Sequence, residues 1–258
     1  MRYEILGPVR VVDKGTVSSI SARKIETLLV ALLIRSDQVV TADRLIAEIW
    51  GERPPRRATA GLHVYISDLR KFLRRPESPA SPIVTRPPGY LLHLGADELD
   101  AHAFVRLMYD GRAHARDLRH EEAADCFQRA LSLWRGSVVG DLTGGPIVDA
   151  FLAWLAEARL ECTELLLEAQ LQLGRHRELV AQLFSLAAEH PLRETFYRQL
   201  MLALYRSDRK ADALKVYQSA RRTLELELGL EPCRALQDLQ RAILVADDVL
   251  LGVHAAAA

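Results

Sequence analysis

Apolar and polar residues alternate over short runs in the first 17 positions of the chain. The apolar positions are Tyr3, Ile5, Val9, Val11 and Val17. A period of two is typical of β-strands, and the Asp13-Lys14-Gly15 triplet before the last run is typical of a tight turn. The opening segment is therefore predicted to form short strands joined by tight turns.

From Ala22 onward the apolar residues recur every three or four positions, which is the spacing of one face of a helix. The first predicted helix has the apolar positions Ile25, Leu28, Leu29, Leu32 and Leu33. The second has Leu45, Ile46, Ile49 and Trp50. Thr41 is the predicted N-cap of the second helix, Gly51 ends it, and Pro54-Pro55 prevents its continuation.

A third helix is predicted over residues 56–75, with one apolar arc of about 120° facing the core. That arc holds Ala58, Leu62, Tyr65, Ile66, Leu69, Phe72 and Leu73. Gly61 costs an isolated helix about 1 kcal/mol relative to alanine. We therefore interpret it as a position of close packing or close approach.

The flank beside this arc carries small, hydroxyl and cationic side chains. We predict that it contacts DNA through Arg56, Thr59, His63, Ser67, Arg70, Lys71 and Arg74. The major groove of B-DNA accepts one helix, arginine can bind guanine edges, and hydroxyls and cations can hold phosphates. A solvated surface helix is the alternative, but residues 53–75 hold seven cations and one acid, Asp68, whereas solvated helices usually mix both signs.

A predicted hairpin follows this helix. Residues 83–86 and 90–94 form its strands, and Pro87-Pro88-Gly89 forms its turn. Strands, three helices and a hairpin follow the order of a winged helix. In that arrangement the third helix enters the major groove, and the hairpin, or wing, places Arg86 near the adjacent minor groove.

Composition and charge narrow the class of protein. The longest apolar run, at residues 28–34, is far short of the roughly 20 residues that cross a bilayer, so we expect a soluble, intracellular protein. Residues 1–95 hold 15 Lys and Arg against 9 Asp and Glu, whereas residues 96–258 hold 19 against 25. This asymmetry suggests different partners for the two halves. Cys126, Cys162 and Cys233 lack metal-ligand spacing and are predicted to be buried small residues.

From Asp100 onward the chain is predicted to be helical throughout. The predicted helices cover residues 100–117, 120–134, 149–173, 176–189, 193–206, 209–227 and 233–246. A 34-residue period relates Arg175, Leu179, Leu183 and Leu186 to Arg209, Ala213, Tyr217 and Ala220, and a third copy is Arg119, Ala123, Phe127 and Ala130. Such repeats are typical of tetratricopeptide-like arrays that bind other proteins, and a helical bundle without a partner is the alternative.

Three groups of residues carry a resemblance to a known family. The opening strands, counted as four, with LHVYISDLRK and TRPPGYLL, resemble the DNA-binding domain of OmpR-type response regulators. DAHAFVRL, ALSLWRGSVVGDL and ELGLEP resemble the bacterial transcriptional activation domain. Together they are similar to the stand-alone form of the Streptomyces antibiotic regulatory protein family. Asp68 stands where that family has a cation, and Lys71 and Arg75 are expected to neutralise it.

The resemblance implies an α+β winged helix-turn-helix domain at 1–95, an all-α tetratricopeptide-like activation domain at 96–252, and a disordered tail at 253–258. It implies a cytoplasmic, nucleoid-associated activator of an antibiotic biosynthesis cluster. Its expected partners are promoter direct repeats, RNA polymerase including its sigma factor, and a second copy of the chain on DNA. Because the predicted winged helix begins at residue 1, we expect the receiver domain of response regulators to be missing, and we do not expect phosphorylation of the usual kind.

We find no pattern that indicates an enzyme. HExxH, GxSxG and GxGxxG motifs are absent from the sequence, and the eight histidines are scattered. We therefore predict no catalytic residue, metal or cofactor. Two other functions stay open at this point. One is a protein-binding adaptor that uses the helical half, and the other is a repressor that uses the same DNA-binding fold.

Overall fold

The computed structural model describes residues 1–75, 81–136, 139 and 144–246. The chain divides into two compact units. The first comprises Met1–Tyr109 and Arg129–Leu160, and the second comprises Asp110–Gln128 and the described residues from Glu161 onward. The domain boundary after residue 95 stays a prediction, and the expected tail at 253–258 lies outside the described residues.

The elements follow one another closely along the chain. In order they are β1 (Arg2–Glu4), β2 (Arg10–Asp13), β3 (Thr16–Ser18), α1 (Arg23–Ile34), β4 (Val40–Thr41), α2 (Ala42–Trp50), α3 (Ala58–Phe72), β5 (Ile83–Arg86), β6 (Gly89–Leu92), β7 (Glu98–Leu99), α4 (Asp100–Arg116), α5 (His120–Ser132), α6 (Pro146–Gln172), α7 (His176–Glu189), α8 (Glu194–Tyr205), α9 (Lys210–Leu228) and α10 (Arg234–Val245).

The N-terminal sheet has four strands in the order β3-β2-β1-β7. β1, β2 and β3 are antiparallel neighbours, and Lys14-Gly15 forms the two-residue turn between β2 and β3, with positive φ at both residues. The prediction of four N-terminal strands is wrong in one respect. The fourth strand is β7, which pairs parallel to β1 from residues 98–99.

A second sheet of three strands, in the order β4-β6-β5, contains the predicted hairpin. β5 pairs antiparallel with β6. On its other side β6 pairs antiparallel with β4, where Tyr90 lies opposite Val40. Helices α1, α2 and α3 pack against one another beside this sheet. Their apolar faces form the core of the winged helix, with Leu28, Leu32, Leu45, Leu62 and Leu69 fully buried.

Local signals explain where these helices begin and end. Thr41 is the N-cap of α2 as predicted, since its Oγ1 accepts a hydrogen bond from the backbone N–H of Arg44 at 3.3 Å. The α2 helix ends at Gly51. α3 is shorter than the predicted 56–75, so that Arg56 and Arg74 flank the helix instead of lying within it.

In the second unit, α7 packs on α8 and α8 on α9, while α10 contacts both α8 and α9. The repeated arginines Arg175 and Arg209 are the N-cap residues of α7 and α9. The repeated apolar positions Ala123, Phe127, Leu179, Leu183, Ala213, Tyr217 and Ala220 are buried. In α7, Ala187 is buried in place of the predicted Leu186, which is half-buried. The predicted fold class, a winged helix-turn-helix followed by a tetratricopeptide-like helical part, is confirmed.

The cysteine prediction holds for two of the three residues. Cys126 and Cys162 are buried as predicted, but Cys233 is exposed. It precedes α10, where its backbone N–H donates to a carboxylate oxygen of Glu194 at 2.7 Å. The apolar spacing around Cys233 predicted a helix. It could not show that Cys233 lies just before the helix and not at one of the buried positions within it.

Candidate nucleic-acid interface

One side of α3 is fixed against α2 by aromatic packing. The rings of Trp50 and Tyr65 stack with centroids 5.6 Å apart, at 19° between their planes. A Cβ at Gly61 would lie 3.2 Å from Cζ2 of Trp50, so a larger residue there would require the Trp50 ring to shift. Gly61 is therefore the close-packing position that its cost to the helix suggested. Tyr65 and Phe72 are half-buried, so the core-facing arc of α3 is narrower than predicted.

The opposite side of α3 is fixed to the wing by Arg70. Its Nε donates to the backbone carbonyl of Ile83 at 3.1 Å, and its Nη2 donates to Oγ1 of Thr85 at 2.8 Å. Both acceptors lie on β5, the first strand of the hairpin. The guanidinium thus holds the wing in place beside the helix.

Between these two flanks, α3 leaves an arc of side chains exposed. At 100° per residue, Arg70 and Gly61 mark the two edges of the arc, about 180° apart. We call it the open arc of α3, and its exposed members are Ala60, His63, Val64, Ser67 and Lys71. Thr59 is exposed near the edge of the arc that Arg70 marks. Arg56 and Arg74 are exposed just beyond the two ends of the helix.

Arg86 is exposed at the end of β5, opposite Gly89 across the hairpin turn. Because side chains alternate along a strand, Ile83 and Thr85 face the helix, whereas Val84 and Arg86 face the other way. The structure thus places six of the eight predicted DNA-binding residues on or next to the open arc. Arg70 lies at its edge on the wing, and Arg86 lies on the hairpin.

The cations of this region differ in how they are paired. Nζ of Lys71 lies 3.5 Å from a carboxylate oxygen of Asp68, as expected. Arg75 does not pair with Asp68, because its guanidinium binds the carboxylate of Asp97. Arg56, Arg74 and Arg86 form no ion pair with any described residue, which leaves their charges available to phosphate or base acceptors.

The Arg75–Asp97 pair has a structural role in the N-terminal sheet. The hydrogen bond that Arg75 donates to the carboxylate of Asp97 raises the pKa of the Arg75 guanidinium. Tyr3 lies beside this pair, and its burial, with a smaller contribution from the charge of Asp97, raises the pKa of its phenol to about 12. The pair holds the end of α3 beside β1, so Arg75 is not part of the candidate interface.

Glu48 is a buried charge that the sequence did not single out. It lies on α2 and is 4% exposed. Its carboxylate accepts backbone N–H groups from the start of α6: Gly145 at 3.0 Å, Ile147 at 2.5 Å and Val148 at 3.3 Å. The first amides of a helix have no partners within the helix, and a carboxylate there also complements the helix dipole. Glu48 thereby fastens α2, which packs against α3, to the first turn of α6.

A second buried carboxylate, Glu4 on β1, contacts three guanidinium groups, those of Arg2, Arg10 and Arg135. Burial alone would raise the pKa of Glu4, but the hydrogen bond from Arg10 and the three positive charges hold it below its usual value. Arg135 follows α5, and its Nη1 donates to the carbonyl of Pro8 at 3.1 Å. This network fastens the segment after α5 to the N-terminal sheet.

Asp100, the first residue of α4, accepts backbone N–H groups of Ile5 and Leu6 at 2.9 Å. Burial raises its pKa, and these hydrogen bonds only partly oppose that effect. No set of three His, Cys, Asp or Glu residues that could hold a metal occurs among residues 1–75, 81–136, 139 and 144–246. Over the same residues, each helix is too short or too polar to cross a membrane.

Comparison with known proteins finds a family model for each of the two parts of the chain. The family model "Bacterial transcriptional activator domain" matches residues 99–244, and "Transcriptional regulatory protein, C terminal" matches residues 19–92. The regulatory protein DnrI of Streptomyces peucetius is 36% identical over 96% of this chain and 93% of its own length. The regulatory protein AfsR of Streptomyces coelicolor is 40% identical, and this chain spans 26% of its length.

A solved structure is similar over nearly the whole chain. It is that of Mycobacterium tuberculosis EmbR in complex with a low-affinity phosphopeptide. The TM-score is 0.89 and the sequence identity 33%, and the match covers 95% of this chain and 65% of the other. The order of elements from β1 to α10 is thus that of a transcriptional regulator.

Proposed function

The chain belongs to the Streptomyces antibiotic regulatory protein family of transcriptional regulators, and we propose that it activates a secondary-metabolite (antibiotic) biosynthesis cluster. In this proposal it binds direct repeats in the cluster's promoters and recruits RNA polymerase. α3 enters the major groove, and the wing lies along the neighbouring minor groove.

The observation that carries the DNA-binding part is the open arc of α3 together with Arg56, Arg74 and Arg86, which form no ion pair with any described residue. The arc is exposed between two fixed flanks, and no bulky side chain blocks a close approach to base edges. Arg56 and Arg74, at the two ends of the helix, are positioned to hold phosphates. Arg86 on the wing is the candidate for the minor groove, where narrow A·T tracts attract arginine.

The recruitment part is supported by the helical repeats and by the charge of the C-terminal half. Copies bound head-to-tail about one helical turn apart would lie on one face of the duplex. Their tetratricopeptide-like helices would then present adjacent surfaces to RNA polymerase and its sigma factor. We expect a monomer or weak dimer in solution that assembles on the repeats.

The test is a footprint of the full chain on candidate promoters, combined with transcription by purified polymerase. Protection of a direct repeat with increased transcript supports the proposal. Protection with decreased transcript indicates a repressor, and no protection at any promoter indicates a protein-binding adaptor. The logarithm of the binding constant should also fall with the logarithm of salt concentration, by about 0.9 for each phosphate neutralised.

A further inference from the structure

Val64 is an exposed apolar residue on the open arc of α3. Its side chain is 56% exposed. It lies about 30° from the middle of the arc, between the flank held by Trp50 and the flank held by Arg70. Neither core packing nor helix propensity accounts for a valine there, since β-branched residues are weaker helix formers than Ala, Lys or Glu.

The neighbours of Val64 form a small apolar strip within a polar face. Ala60 lies one turn earlier on the same side of the helix and is also exposed. His63 and Ser67 lie on one side of the pair, Asp68 lies on the other, and Lys71 lies two turns after Val64. A helix that enters the major groove with this face would bring the two apolar side chains to the base edges, with polar groups on either side.

We infer that Val64, assisted by Ala60, determines sequence preference by packing on the C5-methyl group of a thymine. In the major groove that methyl is the one apolar group that distinguishes thymine from the other bases, and small apolar side chains recognise it by contact. The inference rests on the proposed docking of α3 and adds a residue and a base to it.

The experiment measures binding of the full chain to the footprinted repeat by fluorescence anisotropy. Each thymine of one half-site is replaced in turn by deoxyuridine, which removes the methyl group and leaves the base pair intact. The proteins compared are the wild type, V64A, and the control V17A. Val17 lies on β3 and is 55% exposed, so V17A removes a matching exposed side chain away from α3.

At one thymine, we expect deoxyuridine to weaken wild-type binding about fourfold, since a buried methyl-sized group contributes about this much. V64A should bind the unmodified site more weakly by a similar factor and show no further loss with deoxyuridine there. V17A should behave as the wild type. Thermal unfolding of V64A should occur at or slightly above the wild-type temperature, because the side chain makes little packing contact and alanine is the stronger helix former.

Equal sensitivity of V64A and wild type to every deoxyuridine would overturn the inference, as would a wild type insensitive to all of them. Both results leave sequence-specific binding, and hence the proposed function, intact. Failure of the proposed function gives a different result, because the wild type would then protect no site and would bind all duplexes alike.

Discussion

Arg70 lies at the border between α3 and the wing. Two of its five N–H donors bind β5, and the others are free to reach a phosphate. We expect Arg70→Ala to weaken binding by about 1–3 kcal/mol at all sequences alike, because it releases the wing and removes a phosphate contact. Titration of specific and scrambled duplexes measures both losses.

Two further variants separate the wing from the phosphate. Thr85→Val removes the wing acceptor and keeps the arginine, so it should reproduce part of the loss if holding the wing matters. Arg70→Lys should not restore binding, since an ammonium group cannot reproduce the planar fork that contacts Ile83 and Thr85. A loss confined to one base pair would instead identify Arg70 as a base-reading residue.

Arg86 leads to a prediction that depends on sequence flanking the site. Its side chain is exposed beside the hairpin turn and is not held by another described residue. Arg86→Ala should weaken binding roughly fivefold at sites flanked by A·T pairs and less at sites flanked by G·C pairs, because narrow minor grooves attract arginine. Equal losses at both kinds of site would indicate an ordinary phosphate contact.

The sequence predicted only in part which side of α3 is exposed, and there is a physical reason for the difference. Helical periodicity places Thr59, His63 and Ser67 on one side of α3, and that side is exposed. The edges of the arc depend on contacts from Trp50 and from β5, which are distant in sequence. Without those contacts, the sequence did not single out Val64, and it placed Arg70 among several cations without a separate role.

At the scale of elements, local signals predicted the helices well and the sheet less well. The predicted helix 176–189 coincides with α7, because apolar spacing and the repeat both define it. β7 was missed because it has two residues and pairs with β1 from nearly 100 positions away. A strand this short has no periodicity of its own, so only the tertiary fold defines it.

Glu48 leads to a prediction about the start of α6. Leaving a buried donor without a partner costs about 1–3 kcal/mol, and three donors bind this carboxylate. We therefore expect Glu48→Ala to lower the free energy of unfolding by about 3 kcal/mol or more, measured by urea denaturation. Glu48→Gln keeps one acceptor oxygen and should lose less.

Glu52 provides the matched control for Glu48. It follows α2 by two residues and is exposed, so Glu52→Ala removes the same side chain without uncovering an amide. Its unfolding midpoint should equal that of the wild type. An equal, small effect of both variants would show that Glu48 does not fasten α6 to α2.

Glu4 leads to a prediction about pH. Its pKa is lower in the folded chain than in the unfolded chain, so its contribution to stability is complete above the unfolded value near 4.5. That contribution is lost as the pH falls through the lower, folded pKa. Glu4→Gln should therefore lower the free energy of unfolding by about 1–3 kcal/mol at neutral pH and have little effect at strongly acid pH.

Asp100 acts in the opposite direction within the same unit. Its pKa is raised by burial, so its ionisation destabilises the fold as the pH rises above the unfolded value near 3.8. The comparison of wild type with Glu4→Gln at each pH isolates Glu4, because Asp100 is present in both. A difference in stability that does not change with pH would contradict the assigned sign.

At the scale of the whole molecule, charge and packing divide the chain differently. The net charge changes from about +6 in residues 1–95 to about −6 in residues 96–258, from the counts of charged residues in each part. The first compact unit nevertheless includes residues 96–109 and 129–160. The excess of positive charge that would attract DNA thus lies in the N-terminal segment, whereas residues beyond this segment contribute to its stability.

This difference predicts how a fragment of residues 1–95 would behave. The fragment lacks β7, so β1 loses its parallel neighbour. It also lacks Asp100, which binds the amides of Ile5 and Leu6, and the α6 amides that satisfy Glu48. We expect it to unfold at least 10 °C below the full chain, since several kcal/mol are lost and about 1 kcal/mol shifts the Tm by 4–8 °C in a domain of this size.

Circular dichroism during heating, with hydrogen exchange at the β1 amides, measures this loss. If the fragment binds DNA weakly, unfolding of its winged helix would then explain the result, and the result would not show that the winged helix lacks affinity for DNA. A fragment ending at residue 160 keeps β7, Asp100, Arg135 and the start of α6, and should recover most of the stability. Equal stability of the fragment 1–95 and the full chain would show that these buried carboxylates hold the helical part to the winged helix without supporting it.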